Sequence, residues 1–158
     1  MKLIAKAHFM GLWSIFMLTG LSVVLFSALS SAVTIGENYR GGIVFYIDVS
    51  GQHGLVASKT DMRGHFSGEG EGYFTWYDAK AACNTLVNNG YSDWLIPNRW
   101  QLNQLYLHND DVGGFAGDGY WCSSEFSADR SWVQDFSNGY QIQYNKDGKW
   151  RVRPIRAF

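Results

Sequence analysis

The sequence predicts an α+β fold, in which two short helices lie between an N-terminal β-hairpin and a mainly antiparallel sheet. Three observations lead to this prediction. Two β-branched or aromatic runs surround a glycine turn, two capped segments of helical periodicity follow, and four short β-like runs complete the chain. Because the helices are grouped between strands and do not alternate with them, a parallel α/β sheet is not expected.

The β-hairpin is predicted from "GGIVFYIDVSGQHGLVAS". Residues 43–48 and 54–58 are rich in β-branched and aromatic side chains, and 49–52 supply a turn that contains Gly51. The polar, glycine-rich stretch 59–74 that follows is interpreted as a surface loop.

Two helix starts are marked by capping residues. Thr75 precedes apolar residues at helical spacing, and Asn98 follows Pro97 with Gln101 in the capping-box position. Proline biases the residue before it towards extended backbone, so the first helix cannot run into the second. Trp94, which lies just before this proline, is predicted to belong to the core.

The C-terminal third predicts strands. The runs "YWCSSEF", "SWVQDF", "YQIQYN" and "KWRVRPI" have β character, and the turns between the last three fall at 137–139 and 145–148. Trp132 is predicted to be a core residue of this sheet. Residues 109–119 are rich in Asn, Asp and Gly and are interpreted as a loop.

Residues 1–32 have the pattern of an export segment. Lys2 and Lys6 precede an apolar run, and small residues stand at 30–32. The run is longer than the roughly 7–15 apolar residues of a usual signal peptide, so an uncleaved membrane anchor is the alternative. In both cases residues 33–158 are expected as a single domain outside the cytoplasm, with membrane contact only through the N-terminal segment.

The charge of residues 33–158 argues against nucleic-acid binding. Lys2 and Lys6 are the charged residues before this range, which leaves 11 of 13 basic residues against 14 acidic ones. Nucleic-acid binding generally needs a basic excess, so no nucleic-acid partner is expected.

Several stretches together resemble one bacterial family. "WYDAKAAC", "GYSDWLIPNRWQLNQLY", "YWCSSEF", "QDFSNGYQ" and "RVRPIRAF" are similar to the C-terminal domain of the Legionella collagen-like adhesin, a domain long described only as one of unknown function. The resemblance implies a C-type-lectin-like fold, secretion or surface display, and a trimeric head that binds sulfated polysaccharides. A homo-oligomer is therefore considered, although a shared fold does not transmit its ligand.

A cationic patch is the first candidate site. Lys149, Arg151 and Arg153 have period-two spacing, which places them on one face of a strand, and Lys146 extends the set. Such a row suits a sulfated polysaccharide or another linear polyanion, because arginine binds sulfate through paired hydrogen bonds. The alternatives are a solvated strand face, or an arginine buried in an ion pair with Asp135 or Glu125.

Aromatic side chains and an acidic loop are further candidates. A sugar-stacking platform could come from the surplus aromatic residues, most of which are expected in the core: Tyr73, Phe74, Trp100, Tyr120, Trp132 and Tyr140. The acidic loop consists of Asn109, Asp110, Asp111 and Asp118. Loop solvation accounts for it better than calcium, because the tripeptides of calcium-dependent lectins are absent, and no metal or other cofactor is predicted.

Cys83 and Cys122 are predicted to form a disulfide. An even pair in an oxidising compartment is most simply one bridge, which would close a loop of about 40 residues. Two free thiols are the alternative, and the formylglycine-generating oxidases, which have a related fold, use a cysteine pair. The sequence contains no nucleophile elbow, HExxH or phosphate-binding glycine loop, so no catalytic residue is predicted.

The sequence therefore predicts a non-enzymatic, adhesin-like binding module for anionic, sulfated glycans. The alternative is a structural subunit of a cell-envelope assembly that binds another protein. An oxidase-like enzyme is the minor alternative.

Overall fold

A computed structural model describes residues 32–64 and 72–158 of the chain. Residues Ser31–Phe158 form one compact unit. The predicted signal peptide or membrane anchor at 1–32 lies, but for its last residue, outside the described part. Within that part, no helix combines the length and apolar character needed to cross a membrane.

The described residues fold into three short helices and seven strands, which confirms the α+β prediction. Two antiparallel sheets are present, one with the order β1-β2-β3-β7 and one with the order β4-β5-β6. The elements are β1 (Asn38–Tyr39), β2 (Gly42–Ile47), β3 (Gly54–Ala57), α1 (Trp76–Thr85), α2 (Arg99–Leu107), α3 (Asn109–Val112), β4 (Gly119–Glu125), β5 (Arg130–Asp135), β6 (Gln141–Asn145) and β7 (Ile155–Ala157).

Both predicted helix caps are present. The Thr75 side chain accepts a hydrogen bond from the Asp78 amide at the start of α1. At α2, Asn98 and Gln101 form the reciprocal bonds of a capping box, each 2.8 Å long. These bonds satisfy amides that the first turn leaves without a helical partner, and they fix where each helix begins.

Strand β4 separates two hydrophobic clusters, because its successive side chains point to opposite faces. Tyr120 and Cys122 belong to a cluster formed with α2 and the four-stranded sheet. Trp121 belongs to a second cluster formed with α1 and β5. Both faces of β4 are covered, and this places α2 against one face of the three-stranded sheet and α1 against the other.

The tryptophan predictions have different outcomes. Trp94 is buried, with 1% of its surface exposed, and its indole N–H donates to the Asn88 carbonyl at 3.2 Å. Trp132 is only partly buried and packs at the margin of the first cluster, so its assignment to the core is wrong. The arginine that lies over its ring is described below.

Two local assignments also differ. The stretch 109–119 contains the single helical turn α3, which was not predicted. The run 149–155 forms isolated β-bridges through Trp150 and Arg151, and only its last residue begins β7. The irregular part of this run decides the fate of the predicted cationic patch.

Candidate ligand-binding site

Arg153, the centre of the predicted cationic patch, is fully buried. Its guanidinium donates to Asp61 Oδ1 at 2.7 Å and to the carbonyls of Ser58, Gly113 and Gly114 at 3.2, 3.1 and 2.7 Å. Every one of these partners lies inside the domain. Arg153 therefore joins two loops to the C-terminal segment.

Lys146 is also buried, with 3% of its surface exposed. Its ammonium donates to Glu125 Oε2 at 2.5 Å and to the Ala128 carbonyl at 2.8 Å, and lies 4.6 Å from the centre of the Trp76 ring. The possibility of a buried ion pair with Glu125, considered for the arginines, is thus realised by Lys146.

Arg151 is partly exposed, and two carboxylates neutralise it. Its Nε lies 3.2 Å from Asp118 and its Nη1 3.6 Å from Asp61, while 24% of its side chain is exposed. Lys149 is half-buried. The predicted common exposed face is therefore wrong for Lys146 and Arg153, whereas polyanion binding itself stays a prediction.

The backbone explains why this segment is covered. On one side, the Met62 amide donates to the Val152 carbonyl at 2.9 Å. On the other side, the Trp121 amide donates to the Arg151 carbonyl at 2.9 Å, and the Arg151 amide returns a bond to Gly119. A segment with chain on both flanks cannot offer a free face, so its long cations fold onto internal carboxylates.

The predicted disulfide is wrong, since Cys83 and Cys122 are both free and buried. They belong to different clusters, on opposite sides of β4. Burial raises the pKa of the Cys83 thiol to about 12 and that of the Cys122 thiol to about 11. Reactive thiols need a lowered pKa and access to solvent, so this arrangement does not resemble the cysteine pair of an oxidase.

The acidic loop forms no cluster suited to a metal ion. Within residues 32–64 and 72–158, no group of three or more His, Cys, Asp or Glu side chains converges on one point. Asp111 lies 2.9 Å from His108, and Asp118 accepts from Tyr73 at 2.5 Å. These carboxylates already have partners in the fold.

The aromatic candidates divide into core and surface residues. Phe74 and Tyr120 are buried, at 3% and 0% exposure. Trp100 is 50% exposed and Tyr140 72% exposed. Of the two, Trp100 lines a groove.

This groove lies between the start of α2 and strand β6. Its volume is about 610 Å³, and its lining residues are Asn98, Arg99, Trp100, Asn103, Ser124 and Gln141. Ligand sites commonly measure roughly 300–1,000 Å³, so the groove is large enough for a small ligand or part of a longer one.

Two reciprocal hydrogen bonds attach α2 to the sheet at this groove. Arg99 Nε donates to Gln141 Oε1 at 2.6 Å, and Gln141 Nε2 donates to the Arg99 carbonyl at 3.1 Å. The buried Gln134 side chain connects Gln141 to Asn103 through bonds of 3.1 and 3.0 Å. The floor of the groove is therefore a fixed chain of amides.

Arg99 lies with its guanidinium 3.6 Å from the centre of the Trp132 ring, and it is exposed. Stacking and the bond to Gln141 hold the guanidinium plane in one orientation. Among the described residues, its two terminal nitrogens have no hydrogen-bond partner. They are donors that face the groove with their orientation already fixed.

The groove offers donors and an aromatic face. Asn103 uses its oxygen towards Gln134, and Ser124 Oγ accepts from the Arg99 amide at 3.0 Å, so the Asn103 amino group and the Ser124 hydroxyl hydrogen can serve a ligand. The Trp100 ring meets Tyr46 edge to face at 5.0 Å, which fixes its orientation. A ligand rich in acceptor oxygens matches this chemistry.

Sequence reasoning included Trp100 but missed Arg99, Asn103, Ser124 and Gln141. One local signal was available, because Arg99 and Asn103 are four residues apart and share a helix face. The approach of β6 to this face depends on tertiary packing, which the local pattern does not carry.

Fold and site together define a small α+β module whose open groove combines an exposed tryptophan, an oriented arginine and amide donors. Residues 52–156 match the family model described as the Lcl C-terminal domain. The chain belongs to the Lcl C-terminal domain family. No protein of curated function matches it significantly.

Proposed function

We propose that this protein is a non-enzymatic, adhesin-like binding module that is exported and displayed at the cell surface or released. We infer that it binds glycans, anionic ones in particular, in the groove between α2 and β6. Membership of the Lcl C-terminal domain family supports the adhesin-like class. An envelope protein as partner stays a prediction.

The observation that carries the proposal is the pairing of Trp100 with Arg99 in one groove. Aromatic faces suit the apolar face of a sugar ring, and donors beside the face can bind its hydroxyl oxygens. None of the groove-lining residues is acidic, so no lining carboxylate repels an anionic sugar.

The sulfate preference is assigned to Arg99. A guanidinium held flat over Trp132 keeps its terminal nitrogens parallel, and this geometry matches two sulfate oxygens. The groove thereby takes the role that the sequence assigned to the C-terminal cations, whose charges are largely neutralised within the fold.

The test is calorimetric titration with two probes, a heparin tetrasaccharide and the same tetrasaccharide after desulfation. We expect Trp100→Ala to weaken the binding of both by about tenfold, since stacking contributes roughly 0.5–1.5 kcal/mol. We expect Arg99→Ala to weaken the sulfated probe selectively, by about ten- to a hundredfold, because hydrogen bonds to charged groups contribute roughly 1.5–3 kcal/mol.

Matched controls lie outside the groove. Tyr77→Ala removes another exposed aromatic side chain, and Arg63→Ala removes another exposed arginine. Both controls should bind the probes like the natural protein. The proposal fails if the natural protein binds neither probe, or if Trp100→Ala and Arg99→Ala bind both probes as tightly as the controls.

A further inference from the structure

Strand β6 forms one edge of the three-stranded sheet, and the proposed groove leaves the apolar character of this edge unexplained. Tyr140, Ile142 and Tyr144 are 72%, 42% and 40% exposed. Edge strands are commonly protected by lysine, proline or a bulge. The stretch 140–145 has no charged residue and no proline, and its pairing with β5 runs without a register shift.

The outward backbone groups of β6 belong to Gln141 and Gln143. The Asp135 amide donates to the Tyr140 carbonyl at 2.9 Å, and the Lys146 amide donates to the Asp129 carbonyl at 2.9 Å. Inward and outward residues alternate along an antiparallel ladder, so the even-numbered residues 140–146 face β5. Gln141 and Gln143 therefore direct their amide and carbonyl groups away from the sheet.

The sequence of this edge reads the same in both directions: Tyr140-Gln141-Ile142-Gln143-Tyr144. A two-fold axis at Ile142 would place Gln141 opposite Gln143 of a second copy, and the reverse. Both residues have outward backbone groups, so the two pairs would form four backbone hydrogen bonds. The register required by the palindrome is thus the register that the hydrogen-bonding phase allows.

Side chains match in the same register. Tyr140, Ile142 and Tyr144 share one face, so the axis would set isoleucine against isoleucine and tyrosine against tyrosine. The glutamines would meet on the other face. With no charge in the stretch, self-pairing brings no like charges together, a condition that a symmetric interface otherwise has difficulty meeting.

We propose that β6 pairs antiparallel with β6 of a second copy of this chain, which joins the two three-stranded sheets into one six-stranded sheet. The interface is isologous, with Ile142 on the two-fold axis. This pairing does not depend on glycan binding. It places the two grooves on one assembly, because Gln141 lines the groove and also belongs to β6.

The first test is sedimentation velocity of the purified full chain at increasing concentration, up to the order of 100 μM because a small interface binds weakly. The natural protein should approach twice the monomer mass. Gln143→Pro removes an outward amide while the bonds to β5 remain, so it should stay monomeric. Gln143→Ala keeps the backbone amide and should dimerise like the natural protein.

The second test uses charge at the axis. Ile142→Lys should be monomeric, and so should Ile142→Glu, because each sets a charge against its own copy. An equimolar mixture of the two should form a dimer. Circular dichroism on each variant confirms that it is folded, and a variant that unfolds is replaced by Ile142→Arg or Ile142→Asp.

The proposal is overturned if the natural protein remains monomeric at the highest concentration. It is also overturned if an oligomer persists in both Gln143→Pro and Ile142→Lys, since a different surface must then hold it. Failure of the lysine and glutamate variants to associate when mixed counts against the two-fold axis at Ile142. None of these outcomes bears on glycan binding, which the calorimetric titrations measure separately.

Discussion

In the C-terminal segment 146–156 the cationic side chains turn into the molecule, whereas in the groove Arg99 is exposed. Arg153 has four internal hydrogen bonds, and Arg156 binds Asp93 through two bonds of 2.7 and 2.9 Å. Arg99 has one side-chain bond, to Gln141, and the Trp132 ring beneath it. One region uses its positive charge for folding, and the other leaves it available.

This difference teaches that backbone environment decides what a cation does. The segment around Arg151 is bonded to chain on both sides, so its side chains must find internal partners. Arg99 stands in the first turn of a helix whose buried face is formed by Leu102 and Leu105, and the opposite side of that turn meets solvent. Charge density along the sequence does not distinguish these two cases.

The largest expected effect is that of Arg153→Met. The substitution leaves Asp61 buried without its closest cation, and it removes four hydrogen bonds. Breaking a buried pair from one side commonly costs about 3–5 kcal/mol. Urea denaturation at neutral pH should show a loss of that size, and a loss below about 1 kcal/mol would contradict the structural role of Arg153.

Lys146→Met is expected to have a smaller effect. Its partner Glu125 has a half-exposed side chain, so water can solvate the carboxylate once the ammonium is removed. A loss of about 1–3 kcal/mol in the free energy of unfolding is expected, close to that of hydrogen bonds to a charged group. Lys59→Met, at an exposed position, is the control and should change stability by less than about 0.5 kcal/mol.

Acid should weaken the same ion pairs. The hydrogen bond from Lys146 lowers the pKa of Glu125 below its ordinary value of 4.5, and the one from Arg156 lowers that of Asp93 below 3.8. The unfolded chain therefore takes up protons first, so this contribution to stability is complete above the ordinary values and is lost as pH falls through the folded ones. Urea denaturation from pH 6 to pH 3 measures this loss.

Glu125→Gln provides the control for the acid effect. It removes one of the titrating groups, so the free energy of unfolding should fall less steeply with decreasing pH than in the natural protein. In the Lys146→Met background the same substitution should leave the slope unchanged, because the pKa of Glu125 is then no longer lowered by the ammonium. An equal slope in all these variants would show that the Lys146–Glu125 pair is energetically silent.

Elements defined by neighbours in sequence were predictable. Thr75 and Asn98 cap their helices as expected, because a cap needs only the three residues that follow it. The hairpin of β2 and β3 likewise follows from two runs and a short turn. The helical turn α3 lacked such a signal, since its N-cap His108 makes no side-chain capping bond.

Features that depend on distant chain segments were not predictable. Cys83 and Cys122 stand on opposite sides of β4, and no spacing rule reveals which face each one occupies. Arg153 has the period-two spacing of an exposed row, yet its carboxylate partner Asp61 comes from a loop 92 positions earlier. The groove needed the approach of Gln141 to Arg99 across 42 positions, which local periodicity cannot show.

The smallest expected effect on stability is that of Arg99→Ala. The substitution removes a stacking contact with Trp132 and one hydrogen bond to Gln141, but it leaves no buried charge behind. A cation–π contact at an exposed site contributes about 0.5–1 kcal/mol, so the free energy of unfolding should fall by roughly that amount. Urea denaturation measures it beside Arg153→Met. A loss as large as that of Arg153→Met would mean that Arg99 is also a structural cation, and the contrast between groove and C-terminal segment would fail. A small loss, together with weakened binding of the sulfated tetrasaccharide, would separate the two functions of arginine in this domain.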